Sequence, residues 1–240
     1  MLPKNVKFIS TRRYLAGGAS AGGFANFNLS TNTGDNPAAV EQNRALLLKH
    51  YNLPNPPKWL LQTHSNICLD ASSDDCQADA SITNKSGVVC SILTADCLPI
   101  FAANKSGTQV GVAHAGWQGI VNGVIEEFIS KFSAADLQVH FGPAISPKAF
   151  EVGEDLQQKF IQKDSKLQAA FTPKYTPKST PKSGKFQLDI YQAARIILND
   201  LGVKSISGGG ECTFCQADEY FSYRRDGEKS GRMAHLIWIS

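Results

Sequence analysis

The sequence predicts an α+β fold of mixed α/β character, in which a mixed β-sheet with outer helices forms a single layered sandwich over residues 1–240. Short apolar segments alternate with longer segments of helical periodicity, but without a regular βαβ rhythm. The chain is long enough for one domain with a sizeable core, and 42% of its residues are hydrophobic. No uninterrupted apolar run reaches the length that a membrane span requires.

The elements in the first half of the chain are predicted from capping residues and apolar runs. Asn36 is a preferred N-cap and Pro37 fits the first helical position, so a helix is expected to continue from Ala38 to His50. Short strands are expected on either side of His64, and three buried strands follow them. The predicted strands are 59–61, 66–69, 88–93, 98–103 and 109–113.

In the second half, helices are predicted at 119–132, 153–163 and 189–200, and strands at 138–141, 203–207 and 233–239. The segment 172–185 differs, because it repeats Thr-Pro-Lys and is rich in proline and lysine. Such composition favours an extended, solvated loop, which we expect to be mobile and dispensable.

The charge distribution argues against a nucleic-acid partner. The formal net charge is +3, and segment 172–185 alone carries four lysines and no acidic residue. A nucleic-acid-binding face needs clustered basic residues on ordered elements, and this excess lies in one loop.

Cysteine usage and the N-terminus predict a cytoplasmic protein with no membrane partner. Residues 1–8 lack the apolar stretch of a signal peptide. Six cysteines in a chain of this size do not form a small secreted disulfide framework, and a thiolate metal ligand requires reducing surroundings.

Three short islands carry the candidate chemistry, and each lies at the edge of an apolar segment. They are Gln62-Thr63-His64, Thr94 to Pro99 around Cys97, and Ala113 to Trp117 around His114. Two histidines and one cysteine are a set that catalytic zinc uses, with the fourth position left to water. This set predicts a metal-dependent hydrolase or transferase, although the spacing matches no compact zinc motif. The alternative is that Cys97 is a small buried residue and that the two histidines belong to the core.

Together with further motifs, these islands resemble the YfiH-like family, and the match runs from about Ser10 to Trp238. That family was first labelled multicopper polyphenol oxidase or laccase, and is now described as purine nucleoside phosphorylase with adenosine deaminase activity. The resemblance also implies the layered sandwich of certain bacterial cysteine hydrolases. The further motifs are Gly34 to Pro37, Asn43-Arg44, Ala78 to Ala80, Gly142 to Ile145, Phe150 to Gly153 and Phe221 to Asp226.

The resemblance implies that His64, Cys97 and His114 are catalytic zinc ligands, and that purine nucleosides and phosphate are the partners. Its implied reactions are phosphorolysis of adenosine, inosine and methylthioadenosine, and deamination of adenosine. Copper is the substitute metal that the older label suggests. The chain departs from the family at Ser65, Gln118 and Cys215, and the missing cation at Gln118 bears on phosphate binding.

Other polar residues are candidates for substrate contacts or for support of the ligands. Tyr223, Arg224 and Arg225 adjoin a turn, where planar guanidinium groups would grip phosphate or ribose, unless they form an ordinary surface cluster. The resemblance adds Arg44 to this substrate-binding set. Asp79 and Asp96 would orient the zinc histidines or accept protons, unless they serve as caps.

The remaining histidines and the Cys212-Thr213-Phe214-Cys215 motif are expected to lie outside the site. His50, His140 and His235 fit structural positions better than ligand positions. The C-x-x-C motif has no second close pair of ligands to complete a structural zinc site, so its spacing is expected to be incidental.

Three rival functions remain at this point. A copper-dependent polyphenol oxidase (laccase) is disfavoured, because five histidines include no His-x-His pair. A cysteine amidohydrolase that edits peptidoglycan precursors, with Cys97 as nucleophile and His114 as base, needs the same residues as the zinc enzyme. A zinc-stabilised binding module would need a fourth ligand, and none is evident. The sequence leaves the general base and the oligomeric state open.

Overall fold

A computed structural model describes residues 2–133, 136–175 and 181–240. Within these residues the chain forms strands and α-helices in the following order: β1 (Val6–Ser10), α1 (Pro37–His50), β2 (Cys68–Asp70), β3 (Ala80–Thr83), β4 (Cys90–Thr94), β5 (Leu98–Asn104), β6 (Val110–Ala115), α2 (Trp117–Asn122), α3 (Val124–Ser130), β7 (Leu137–Phe141), β8 (Glu151–Gly153), α4 (Glu154–Lys163), β9 (Phe171–Tyr175), β10 (Pro181–Leu188), α5 (Ile190–Asp200), β11 (Ser205–Gly208), α6 (Tyr223–Asp226) and β12 (Met233–Ile239).

A six-stranded mixed sheet is the centre of the fold, in the order β11-β7-β5-β6-β3-β2. Strand β5 pairs antiparallel with β6 and β7, whereas β11 is parallel to β7 and β2 is parallel to β3. A second sheet has β12 between β1 and β4, and a third has β10 between β8 and β9. The predicted mixed fold is confirmed.

The alternation of side chains along β5 and β12 explains the layers. Leu98, Ile100 and Ala102 on one face of β5 pack in the core that α3 and α5 share, whereas Phe101 and Ala103 on the other face meet the second sheet. Strand β12 repeats the arrangement, because Ile237 faces the central sheet while its neighbours Leu236 and Trp238 pack towards α1. The central and second sheets therefore form a sandwich, with α3 and α5 packed outside the central sheet and α1 outside the second.

Capping residues set the helix ends where the sequence predicts them. The Asn36 side chain accepts a hydrogen bond from the N–H of Ala38, and Asp189 accepts one from the N–H of Gln192. The helix predicted at 119–132 is wrong in one respect. It is broken into α2 and α3 at Gly123, whose φ of +92° is left-handed and accessible to glycine at little cost.

Among the described residues of segment 172–185, most side chains are exposed, as predicted, but the predicted loop is wrong over most of its length because strands β9 and β10 replace it. That the segment is dispensable stays a prediction. Residues Thr172 to Tyr175 pair with β10, which also pairs with β8, and Leu188 lies opposite Phe171. Residues 176–180 lie outside the described residues. Lysine and proline content hid these strands, although the prolines lie where a sheet tolerates them: Pro173 is on the edge strand β9, and Pro181 is the first residue of β10.

Smaller differences concern short strands. In place of the strand predicted at 59–61, isolated bridges form at Lys58 and Leu61, and β1, β3 and β8 were not predicted. Among the helices of the described residues, none combines the length and apolar character needed to cross a bilayer.

Candidate metal and active site

The structure brings His64, Cys97 and His114 together at one end of the central sheet. Cys97 is the last residue of the turn from β4 to β5, His114 lies near the end of the neighbouring strand β6, and His64 lies on the connection that precedes β2. Their ligand atoms all lie within 4.8 Å of one another, and Cys97 Sγ is 3.9 Å from His64 Nε2. The two imidazole rings are 4.8 Å apart between centroids.

Asp79 is the buried residue that organises this cluster. Its Oδ1 accepts hydrogen bonds from His114 Nδ1 at 2.8 Å and from the N–H of His64 at 3.1 Å. Its Oδ2 accepts from the N–H and the hydroxyl of Ser65, at 2.6 and 2.7 Å. One carboxylate therefore fixes both histidines, and it leaves Nε2 of His114 for the cluster.

These hydrogen bonds also hold His64 in a sparsely populated backbone conformation. Its φ is +58°, a value that residues other than glycine rarely adopt. Three successive backbone N–H groups, from Thr63 to Ser65, donate hydrogen bonds to the Asp79 carboxylate. Ser65, at a position where the resemblance implies glycine, adds its hydroxyl to the same carboxylate. This departure supports the site's geometry.

The electrostatics of the cluster favour a thiolate beside an imidazolium. Burial raises the pKa of Cys97, but the adjacent His114 and His64 outweigh burial and lower it to about 6. Burial lowers the pKa of His114, but Cys97 and Asp79 outweigh it and raise that pKa to about 9. Burial raises the pKa of Asp79, yet hydrogen bonds from His114 and Ser65 lower it to about 2. A thiolate is the form of cysteine that binds metal or attacks a carbonyl.

Gly116 is the residue that lets the ligands approach one another. A Cβ atom there would lie 2.8 Å from Cys97 Sγ and 2.8 Å from Cδ2 of His64. Its φ of −69° is accessible to any residue. Glycine is therefore needed here because there is no room for a side chain, and not because of its backbone conformation.

Asp96 lies next to Cys97, and its carboxylate binds groups of the C-terminal segment. Its Oδ1 accepts from the hydroxyl of Thr213 at 2.6 Å, and its Oδ2 accepts from the N–H of Arg224 at 2.7 Å. Its own φ is +90°. Asp96 therefore ties the turn that carries Cys97 to the C-terminal segment.

The cluster opens into a cavity of about 530 Å³, which is within the range of small-molecule sites. Its walls combine apolar and aromatic side chains with a few polar groups. The wall residues include Leu60, Gln62, Trp117, Gln118, Ile145, Phe150, Ile190, Tyr223, Arg224 and Arg232.

The predicted substrate-binding residues separate into two groups. Tyr223 and Arg224 line the cavity, and the Arg224 guanidinium lies over the ring of Phe150 and donates to the Glu151 carbonyl. Arg225 is turned away, because its guanidinium donates to the carbonyls of Thr213, Phe214 and Tyr220 and to Asp226. Arg44 is likewise absent from the walls, since it stacks on Trp59 and donates to the carbonyl of Leu29.

Arg232 is the cavity residue that the sequence analysis missed. It lies just before β12, lines the cavity and stands over the ring of Tyr223 at 5.6 Å. Burial lowers the pKa of its guanidinium, while Cys97 and Asp96 act in the opposite direction. One sequence feature could have identified Arg232: it is a basic residue directly before a buried terminal strand and close to the Phe221 to Asp226 motif.

Comparison with known proteins places this architecture in a family. Residues 7–240 match the family of multi-copper polyphenol oxidoreductase laccases, to which YfiH relatives belong. The chain is a member of this YfiH family. Purine nucleoside phosphorylase of Haemophilus influenzae is 44% identical to it over 242 residues, covering 99% of this chain and 96% of that protein. Purine nucleoside phosphorylase YfiH of Escherichia coli is 42% identical, covering 99% and 95%.

Solved structures agree with the YfiH assignment. A Neisseria meningitidis protein superposes with a TM-score of 0.90 at 40% identity, covering 100% of this chain and 96% of its own. YlmD of Geobacillus stearothermophilus gives a TM-score of 0.83 at 27% identity, covering 98% and 92%. The resemblance read from the sequence motifs is confirmed.

The donor set of this YfiH-family protein fits one metal ion. It supplies two imidazole nitrogens and one thiolate, and the Asp79–His114 contact is the carboxylate–histidine arrangement common behind metal ligands. All five histidines are among the described residues, and His140 and His235 pair with Ser207 and Ser10. In the described part of the chain, this cluster is the one group of three or more His, Cys or acidic residues placed to hold a metal. The ligands for several copper ions are therefore not assembled here.

Proposed function

We propose that this protein is a zinc-dependent purine nucleoside phosphorylase. One observation carries the proposal: the His64, Cys97 and His114 cluster opens into a cavity whose walls carry both aromatic rings and the guanidinium groups of Arg224 and Arg232. A purine nucleoside needs an apolar, aromatic surface for its base, and phosphate needs cations. The two relatives described above are named as purine nucleoside phosphorylases, which agrees with this pairing.

In phosphorolysis a phosphate oxygen bonds to the anomeric carbon of ribose while the bond to the purine nitrogen breaks. Arg232 and Arg224 are proposed to hold the phosphate, because a guanidinium group binds phosphate through paired donors. Trp117, Phe150 and Tyr223 are proposed to pack against the base, where a ring contact contributes about 1–3 kcal/mol. Gln118 lines the same cavity and is exposed, as a neutral group where the family usually has a cation.

Within the cluster, Asp79 is proposed to keep His114 and His64 in place, a role that the hydrogen bonds from His114 Nδ1 and the His64 N–H support. A zinc ion held by His64, Cys97 and His114 would supply Lewis acidity and balance anionic charge near the reacting atoms. The same donors suit copper, so copper is proposed as a substitute metal.

The finer substrate range is also part of the proposal. Adenosine, inosine and methylthioadenosine share the purine and the ribose, and differ at C6 of the base or at the 5′ position. Deamination of adenosine replaces the amino group at C6 with oxygen from water, and we assign it to the same cavity.

A second candidate is favoured by one specific contact. Asp79, His114 and Cys97 form a series in which a carboxylate orients an imidazole beside a thiolate, and this is the arrangement of a cysteine nucleophile with its base. A cysteine amidohydrolase acting on peptidoglycan precursors would use it without metal.

Product analysis tests the proposed activity. Purified protein is incubated with each of the three nucleosides, with and without phosphate. The free base, inosine and the sugar 1-phosphate are quantified, the last being ribose 1-phosphate or, from methylthioadenosine, methylthioribose 1-phosphate. Phosphate-dependent release of free base is expected, together with phosphate-independent conversion of adenosine to inosine. Absence of both products from zinc-loaded, folded protein would contradict the proposal.

A further inference from the structure

Two cysteines outside the candidate metal site share a single turn of the chain. Cys212 and Cys215 are separated by two residues, and the N–H of Gln216 donates to the Cys212 carbonyl at 2.9 Å. The Gln216 side chain accepts from the N–H of Cys212 at 2.7 Å, which fixes the start of the turn. Residues three apart on such a turn lie on the same face, so the two side chains are neighbours.

The sulfur of Cys212 lies among hydrogen-bond donors. It accepts from the N–H of Ser146 at 3.4 Å and from the N–H of Cys215 at 3.3 Å. Burial raises the pKa of Cys212, but hydrogen bonds from Ser146 and Cys215 outweigh burial and lower it. The pKa of Cys215 is raised, first of all by its hydrogen bond to Cys212. Within the pair, negative charge therefore favours the Cys212 sulfur.

The two thiols differ in access to solvent. Cys212 is 8% exposed, whereas Cys215 lies at the surface. A dissolved disulfide can therefore reach Cys215 directly. Cys212 is reached from within the turn, by the sulfur of Cys215.

We propose that Cys212 and Cys215 form a redox-active dithiol that low-molecular-weight disulfides of the glutathione type oxidise to an intramolecular disulfide. Cys215 loses its proton to solvent and attacks one sulfur of the glutathione disulfide, whose S–S bond breaks and releases one glutathione thiolate. The Cys212 thiolate then attacks the Cys215 sulfur and releases the second. Two protein thiols are oxidised, one glutathione disulfide is reduced to two thiols, and an excess of thiol reverses the reaction.

The turn needs a small adjustment to close this bond. Neighbouring Cβ atoms on a helical turn are about 5–6 Å apart, whereas a disulfide needs about 3.5–4.5 Å. The movement of roughly 1.5 Å falls on the exposed Cys215 side, because Cys212 is held by Ser146 and Gln216. The proposal goes beyond the phosphorylase activity and does not depend on it.

Thiol trapping on the zinc-loaded protein tests the proposal. The protein is equilibrated with graded ratios of reduced to oxidised glutathione, and free thiols are alkylated. The protein is then digested, and the peptide masses are measured by mass spectrometry. We expect the peptide with Cys212 and Cys215 to lose two hydrogens and to carry neither glutathione nor alkyl groups. The Cys215→Ser variant should keep an alkylatable Cys212. Cys76, an exposed thiol without a close partner in sequence, is the matched control and should carry glutathione.

The rate at which glutathione leaves Cys215 gives a second, independent measure. In the wild type, release should be at least tenfold faster than release from Cys76, because Cys212 resolves the adduct. Cys212→Ser should abolish that difference. Glutathione persisting on wild-type Cys215 as long as on Cys76, with Cys212 still alkylatable, would overturn the proposal, and it would do so even if Cys212→Ser failed to fold.

Discussion

Replacing Gly116 with alanine should weaken metal binding while leaving every ligand in place. The added Cβ would lie 2.8 Å from both Cys97 Sγ and His64 Cδ2, and 3.1 Å from His64 Nε2. Ordinary contacts between such atoms lie at about 3.5–4.0 Å, so the two ligands must move by roughly 0.7 Å or more. Functional sites tolerate displacements of only about 0.5 Å. We expect zinc affinity to fall by about 10–100-fold, the loss typical when support for metal ligands is disturbed.

Competition titration of zinc against a chromophoric chelator measures this loss. The backbone of Gly116 has φ −69° and ψ 163°, which alanine also adopts. The free energy of unfolding should therefore fall little beyond the cost of an alanine at the N-cap of α2, about 1 kcal/mol.

Gly119→Ala is the matched control on the same helix. Its Cβ would meet Val124 Cγ1 at 3.3 Å and the His114 carbonyl at 3.5 Å, away from the ligand atoms. Zinc affinity should stay at the wild-type value in Gly119→Ala. Equal zinc affinities for the two variants would refute the argument that space at Gly116 sets the geometry of the cluster.

Three further predictions concern single side chains. Asp79→Asn should weaken zinc binding by about 10–100-fold in the same titration, because the amide cannot accept all the hydrogen bonds from His114 and Ser65; an unchanged affinity would remove Asp79 from its positioning role. Arg232→Gln should raise the phosphate KM of phosphorolysis about tenfold or more, with a smaller fall in thermal midpoint than Arg225→Gln; the reverse pattern would exchange their roles. Nη1 of Arg232 binds the carbonyls of Ser230 and Gly231, whereas both Nη atoms of Arg225 bind backbone carbonyls. Burial, followed by the charge of His114, lowers the pKa of His235 to about 3. Neutral His235 therefore makes its full contribution to the free energy of unfolding above pH 6.5, and this contribution is lost as the pH falls towards 3. Between pH 6.5 and 5, His235→Asn should lose roughly 1–2 kcal/mol less unfolding free energy than wild type in urea titrations, and parallel losses would contradict this assignment.

The sequence predicted the fold class because local patterns determine most of the central elements. Asn36 and Asp189 cap helices that begin at the next residue, and the apolar run from Leu98 to Ala103 forms the middle of the central sheet. The break at Gly123 was missed, because a glycine within a helical pattern does not reveal its φ. The third sheet was missed because pairing partners distant in sequence, such as Lys185 and Gly153, decide it.

The same distinction holds for the site. His64, Cys97 and His114 were chosen from short motifs at strand ends, and sheet pairing brings Pro99 opposite His114. The direction of an arginine side chain depends on tertiary structure, so the sequence could not show that the Arg225 guanidinium binds backbone carbonyls. Nor could it show that Arg232, seven residues later, lines the cavity.

Removal and return of metal tests the central claim most directly. Protein stripped with a chelator and then titrated with zinc is assayed for phosphate-dependent release of purine from inosine. We predict that turnover falls at least about a hundredfold without metal and returns in proportion to zinc, up to one ion per chain, as expected for a Lewis-acid centre with three protein ligands. Full turnover by the metal-free protein, abolished by Cys97→Ser, would contradict the account and favour a cysteine nucleophile.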